Sequence, residues 1–228
     1  MSHQALPLYC VIVAAGSGAR LGLPLPKALV ALNGVPIVRR SLDKILSACE
    51  TVHNVVVTAP LGFESEFEKL LPEARVVCGG ATRSASVRCG LTAIEQHHDP
   101  GAEALVLIHD AARCLVHPQD VRQVIRAADE CGAATLAGKV TDTIVTSSPN
   151  QYAGEYLDRG TLWCVQTPQV FRWSLIRRAH ETSPEATDDS SLVAAVHPVR
   201  IVESGHANFK ITTPADLYYA EASSASCC

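Results

Sequence analysis

Two periodicities alternate along the chain, and each predicts a kind of element. Continuous apolar runs at residues 8–15, 53–59, 74–78, 103–109 and 132–138 predict buried strands. Between them, apolar residues recur at helical spacing. Residues 36–49 carry Val38, Leu42, Ile45, Leu46 and Cys49, and residues 62–71 carry Phe63, Phe67, Leu70 and Leu71. Residues 82–97 carry Val87, Leu91 and Ile94, and residues 118–131 carry Val121, Val124, Ile125 and Ala128. Each set makes one apolar helix face that has to lie on a sheet. Strand and helix in regular alternation predict an α/β fold with a doubly wound, mostly parallel sheet of the Rossmann-like kind.

The alternation breaks at residues 139–159. Two short β-prone pieces, 140–146 and 152–157, flank a turn at Ser147-Ser148-Pro149-Asn150. Such a two-stranded arm is not stable alone and needs a surface to pack on; a second subunit is the natural candidate. Residues 161–171 return to the body. Helices follow at 173–180 and at 188–196, the latter capped by Thr187 or Asp188, and a strand at 199–203. Lys210-Ile211 comes near a strand end, and Thr213-Pro214 opens a closing helix, Pro just inside a Thr cap being a common helix start. Without repeats or a linker, residues 1–228 read as one domain, with 139–159 as an arm for dimerisation.

Composition narrows the classes. At 47% apolar over 228 residues, the chain has enough length for a sizeable core. A net charge of −4 argues against broad nucleic-acid binding while leaving room for a local basic pocket. No apolar run has the length of a membrane span, so no membrane partner is expected. Residues 1–8 lack a basic stretch followed by an apolar one, so no secretory signal is expected and the location reads as cytoplasmic. The nine cysteines are scattered, odd in number and without Cys-x-x-Cys, which fits small core hydrophobes in a reducing compartment. Cys227-Cys228 follows a serine-rich stretch that reads as a disordered tail, with nothing else to support a lipid anchor.

The candidate chemistry begins where the first strand ends. Gly16, Gly18 and Gly22 form a loop whose backbone can approach a ligand, and successive N–H groups in such a loop can form an anion nest. Arg20 and Lys27 add two cations, and Pro24 and Pro26 stiffen the approach to Lys27. The loop is not a P-loop, since Gly-x-x-x-x-Gly-Lys-[Ser/Thr] is absent. It is a poor dinucleotide fingerprint, because Leu21 stands where Gly or Ala is needed and the next strand ends in Pro60 instead of an acidic residue. A triphosphate suits it better. Gly79-Gly80 forms a second turn, followed by Thr82, Arg83, Ser84 and Ser86 at a helix start, where free N–H groups favour anions or base edges. Asp110-Ala111-Ala112-Arg113 lies at a strand's carboxyl end, where open α/β sheets bind ligands. Asp110 and Arg113 either form an ion pair with each other or face an acceptor; an Arg can hold a phosphate through two parallel hydrogen bonds.

Several segments together carry a resemblance. They are Ala14-Ala15-Gly16-x-Gly18-x-Arg20, Pro26-Lys27, Leu32-Asn33-Gly34-Val35-Pro36, Gly79-Gly80-Ala81-Thr82-Arg83-Ser84-Ala85-Ser86-Val87, His109-Asp110-Ala111-Ala112-Arg113, Asp142-Thr143 and Gln166-Thr167-Pro168-Gln169. From about Val11 to Tyr219 the chain resembles the 2-C-methyl-D-erythritol 4-phosphate cytidylyltransferases of the non-mevalonate isoprenoid pathway. The resemblance implies in-line attack of the acceptor phosphate on the α-phosphorus of CTP, with pyrophosphate leaving and no protein nucleophile. It implies four catalytic residues: Arg20 and Lys27, which stabilise the transition state around the triphosphate, Lys210, a third phosphate contact that positions the reactants, and Arg159, which reaches the neighbour's substrate. Ala14, Ala15, Gly16, Gly18, Gly80, Ser86, Asp110 and Ala111 would hold the nucleotide. Asp110, Arg113, Thr143, Arg159, Thr167, Thr187 and Lys210 would hold the acceptor. It further implies a homodimer in which the arm carries Thr143 and Arg159 to the neighbour's site. Mg²⁺ is expected as a chelate of the CTP phosphates, with no protein cage of its own. Two rivals stay open: a cytidylyltransferase for another polyol phosphate such as ribitol 5-phosphate, and a non-catalytic nucleotide sensor on the same fold.

Overall fold

The computed structural model describes residues 6–23, 25–49, 52–182 and 185–225. Pro24, expected to stiffen the loop, lies outside them, as do residues 1–5 and the terminal Cys227-Cys228. In chain order the strands are β1 (Leu8–Val13), β2 (Ala31–Leu32), β3 (Val35–Pro36), β4 (Asn54–Ala59), β5 (Arg75–Cys78) and β6 (Leu105–Asp110). They continue with β7 (Ala133–Lys139), β8 (Ile144–Ser147), β9 (Ala153–Leu157), β10 (Trp163–Arg172) and β11 (Arg200–Glu203). The helices are α1 (Ile37–Ala48), α2 (Glu64–Leu70), α3 (Arg83–His97), α4 (Pro118–Cys131), α5 (Trp173–Thr182), α6 (Asp189–Ala194) and α7 (Pro214–Ala225).

Seven strands form the central sheet in the order β11-β7-β10-β6-β1-β4-β5. β1 lies parallel to both β4 and β6, with Val11 opposite Val56 on one side and Ile108 on the other. Its run is apolar throughout because both faces are covered. Leu8, Cys10, Ile12 and Ala14 point into one core cluster, with Val38, Leu42 and Ile45 of α1 and Val121 and Val124 of α4. Tyr9 and Val11 point into the other, with Val87, Leu91 and Ile94 of α3 and Ile176 of α5. The strand period of two thus meets helix faces of period 3.6 on both sides. β10 departs from the parallel expectation. It runs antiparallel between β6 and β7, and its register shifts between Val165 and Gln169, around the cis Thr167–Pro168 bond.

Within the expected arm at 139–159, Lys139 still belongs to β7, and residues 144–157 form an antiparallel hairpin, β8 with β9, separate from the main sheet. Its strands are shorter than the pattern predicts, and the turn runs through Ser148 to Tyr152. Nearly all of it is exposed, including Val145, Tyr152 and Tyr156. The segment around Asn33-Gly34, met in the sequence only as a motif, is a tight hairpin joining β2 and β3. A third core cluster lies near it, with Leu21, Val30, Leu32, Ile37, Cys114 and Ile211, and links the glycine loop to the segment that carries Lys210.

Candidate active site

After β1 the chain moves outward through β4 to β5 on one side, then returns to β6 on the other. The crevice at the carboxyl ends of β1 and β6 is therefore the topological switch point, where open α/β sheets take ligands. Two cavities open there. The first, of about 500 Å³, is lined by the backbone of residues 13–17, by Gly80, Thr82 and Ser86, and by Lys27, Arg83, Asp110, Ala111 and Lys210. The second, of about 510 Å³, is lined by Arg113, Gln166, Thr167, Thr187, Asp188 and Val165. Arg83, Asp110 and Lys210 belong to both, so the two cavities meet at these three side chains.

The floor of the first cavity is close-packed backbone. Gly18 has φ +74, and a Cβ there would stand 2.8 Å from Lys27 Cβ, so only glycine lets the loop close over Lys27. A Cβ on Gly79 would fall 2.3 Å from Ala15 Cβ, so glycine at 79 is what allows the two loops to touch. Ser86 Oγ accepts from Gly80 N at 3.1 Å and donates to Thr82 O at 2.9 Å, bracing the second turn. Thr82 caps α3 by accepting from Ala85 N at 3.0 Å.

The cations of this cavity are crowded. Burial, reinforced by Lys210 and Arg20, brings the Lys27 pKa down to about 8, against a smaller opposing pull from Asp110. A cluster that repels its own charge is suited to receive an anion. Arg20 itself is exposed and lines neither cavity, though its charge reaches Lys27.

Asp110 is the hinge between the cavities. Its Oδ2 accepts from Lys210 Nζ at 2.6 Å and its Oδ1 from Arg83 Nε at 2.9 Å. Burial works against its charge, but Arg83 and Lys210 outweigh burial and hold the carboxyl well below the usual range. The alternative of an Asp110–Arg113 ion pair does not form. Arg113 turns away, and its Nη1 donates to Asn208 O at 2.8 Å. Arg83 is held from behind, where Nη1 donates to Asp189 Oδ2 at 2.6 Å and Asp189 Oδ1 contacts His180 Nε2 at 3.1 Å. Lys210 is not beside a strand end as expected. It lies in the irregular stretch after β11, tied down by Ile211 N donating to Ala112 O at 2.9 Å.

The remaining candidates divide. Ala14, Ala15, Gly16, Gly80, Ser86, Asp110 and Ala111 line the first cavity, while Gly18 supports it from outside. Arg113, Thr167 and Thr187 line the second. The Thr167 hydroxyl is already engaged, accepting from Asp110 N at 3.0 Å and sitting 3.2 Å from Nδ1 of buried His109. Burial lowers the His109 pKa to about 4, so that ring is neutral. Thr143 and Arg159 line neither cavity; Arg159 is exposed on the arm and donates to Thr141 O at 2.8 Å. The site list drawn from the sequence omitted Arg83, Asp189 and Asn208. Arg83 stands inside a motif already noticed and Asp189 at the start of an expected helix, but nothing local in a sequence says that residues 83, 110 and 189 form one charge network.

The family model for 2-C-methyl-D-erythritol 4-phosphate cytidylyltransferase matches residues 8–225. The chain belongs to this family. It is similar to the cytidylyltransferase of that name from Geobacillus kaustophilus, at 38% identity over 93% of this chain and 94% of that one. A chloroplastic enzyme of the same name from Oryza sativa is 38% identical over 92% of this chain and 72% of its own. The crystal structure of the Thermus thermophilus protein of that name superposes with a TM-score of 0.77 at 33% identity, covering 97% of this chain and all of that one. A 4-diphosphocytidyl-2C-methyl-D-erythritol synthase structure from Anaerococcus prevotii gives 0.82 at 26% identity, covering 97% and 100%. The mixed α/β fold with its mostly parallel sheet and separate hairpin is thus the fold of a cytidylyltransferase family.

Proposed function

We propose that this chain transfers a cytidylyl group from CTP to 2-C-methyl-D-erythritol 4-phosphate, giving 4-diphosphocytidyl-2-C-methyl-D-erythritol and pyrophosphate. The observation that carries the reading is the pair of similar cavities meeting at Arg83, Asp110 and Lys210, in a chain of this family. The nucleotide takes the first cavity, its triphosphate on the loop at residues 14–18 beside Lys27, with Arg20 at the rim. The acceptor takes the second, near Arg113 and Thr187. A non-bridging oxygen of the acceptor phosphate attacks the α-phosphorus; the new P–O bond forms as the bond to the β-phosphate breaks, and pyrophosphate leaves with the electron pair. Both reactants are anions, so fixed cations lower the barrier by offsetting repulsion and the charge growing on the leaving group. Lys210 reaches both cavities and draws the two phosphates together.

Mg²⁺ fits this site as a chelate of the phosphates. Asp110 is the one carboxylate lining the first cavity among the described residues, and no group of three His, Cys, Asp or Glu among them is placed to hold a metal ion. Bound that way, the ion would neutralise phosphate charge, with Asp110 the protein group able to touch it.

The chain works as one domain and as a homodimer in the cytoplasm. The exposed arm supports the dimer, since Val145, Tyr152 and Tyr156 face solvent and Arg159 and Thr143 line neither cavity of their own chain. No helix among the described residues is long and apolar enough to cross a membrane. Pyrophosphate release with CTP, Mg²⁺ and 2-C-methyl-D-erythritol 4-phosphate tests the reading, with ribitol 5-phosphate as rival acceptor and ATP, GTP and UTP as controls. Release confined to CTP and the first acceptor is expected. Release with ribitol 5-phosphate alone, or binding of CTP without turnover, would overturn it.

A further inference from the structure

Lys210 sits on a stretch that has no secondary structure of its own. Between β11 and α7, residues 204–213 form no strand or helix, yet Lys210 lines both cavities. Besides the Ile211 N to Ala112 O pairing and the bond to Asp110, a further contact fixes the backbone that presents it.

Asn208, two residues earlier, makes the necessary contacts. It is 3% exposed, which for a loop amide is deep burial. Its Nδ2 donates to Gln166 Oε1 and to Thr167 O, both at 2.9 Å. Its own carbonyl accepts from Arg113 Nη1 at 2.8 Å. One residue thus ties the break in β10 and the guanidinium of the Asp110–Arg113 loop to the backbone that presents Lys210. Phe209 beside it is packed into the third core cluster, and Ile211 on the far side of Lys210 pairs with Ala112, so the lysine is anchored in front and behind. The amide's two N–H donors meet the two acceptor oxygens at that depth without carrying a charge.

We propose that Asn208 is a positioning residue for the transfer, setting Lys210 and Arg113 on the acceptor side of the crevice without touching either substrate. This rests on the reading of the second cavity as the acceptor's. Removing the amide lets two phosphate-holding side chains drift together, and a displacement of about 1 Å at reacting groups can cost on the order of 10²-fold in rate. The first cavity's backbone floor does not involve residue 208, and of its lining side chains Lys210 is the one that depends on the Asn208 stretch, so nucleotide binding changes less than acceptor use.

The experiment compares the parent with Asn208→Ala and with Asn208→Asp, which keeps the volume but sets a carboxylate oxygen against the Thr167 carbonyl. For each we would measure kcat and the acceptor KM by pyrophosphate release, the Kd of CTP by calorimetry, and Tm. We expect kcat to fall roughly 30- to 100-fold and acceptor KM to rise about tenfold in both variants, with the CTP Kd within about threefold. In an Arg113→Ala background the Asn208→Ala effect on acceptor KM should shrink, because the two act as a unit. Parent-like kcat and acceptor KM in either variant would overturn the proposal. So would an equal loss of CTP binding and acceptor use accompanied by a collapse of Tm, which marks a merely structural residue. If the parent itself turns over no acceptor, the reading of the site fails instead, before Asn208 is reached.

Discussion

Lys27 makes a prediction that follows from the crowding of cations alone. Burial and the neighbouring Lys210 and Arg20 put its pKa at about 8 in the free protein. The sign is that of a depressed base: the charge is present below that pH and lost above it. At pH 7 about nine-tenths of the molecules carry the charge, and at pH 9 about one-tenth, from the definition of pKa alone. If the transition state needs the ammonium, kcat/KM for CTP, which reports the free protein, falls about tenfold between pH 7 and pH 9. kcat reports the bound complex, where the triphosphate's negative charge raises the Lys27 pKa, so it holds level to higher pH. The acceptor's second phosphate ionisation lies near pH 6 and leaves this window clear. Lys27→Arg replaces the ammonium by a guanidinium that does not titrate below pH 12. We expect it to run slower than the parent but with no alkaline limb. Pyrophosphate release followed from pH 6.5 to 10 reads both profiles. A parent kcat/KM that stays flat to pH 10, or the same limb surviving in Lys27→Arg, would refute the assignment.

Three further outcomes follow from the geometry. Arg83→Met removes the cation between Asp110 and Asp189 and leaves Asp189 without its guanidinium partner; breaking such a buried pair costs about 3 kcal/mol, or roughly 6–12 °C in Tm. A loss under 1 kcal/mol by urea titration would show that the network contributes little. Arg113→Ala should raise the acceptor KM at least tenfold with little change in CTP Kd, whereas an effect confined to CTP would move Arg113 to the other cavity. If the arm of one subunit serves its partner, mixing Arg159→Ala with Lys27→Ala should recover about a quarter of parent activity through hybrid dimers, since one of two sites in half the dimers is then intact. No recovery under verified subunit exchange would place Arg159 in its own subunit's site.

Much of this molecule is legible from periodicity. The both-sides-apolar strands and the one-sided helices of the first 138 residues stand where the pattern puts them, because burial on two faces or one leaves a direct mark on residue choice. The antiparallel insertion of β10 is not legible, since a strand buried on two faces reads the same in either direction. The motif loops identified the ligand end of the sheet, as they depend on local backbone needs such as the positive φ of Gly18. The charge network was hidden for the opposite reason. Arg83, Asp110 and Asp189 are 27 and 79 residues apart in sequence, and only the fold makes them neighbours. A charged residue on a helix start looks like a solvated one until its partners are known. Lys210 was found only through family resemblance, since its irregular segment has no period, and Asn208 was missed for want of one.

The central claim is a single direct displacement, from a nucleotide in the first cavity to a phosphate in the second. The stereochemistry at the α-phosphorus tests it most directly. CTP made chiral there with one sulfur and converted in the presence of acceptor and Mg²⁺ should give a product of inverted configuration, read by ³¹P NMR. Retention would mean two successive displacements through a covalent enzyme intermediate, and would contradict a mechanism built on cations alone.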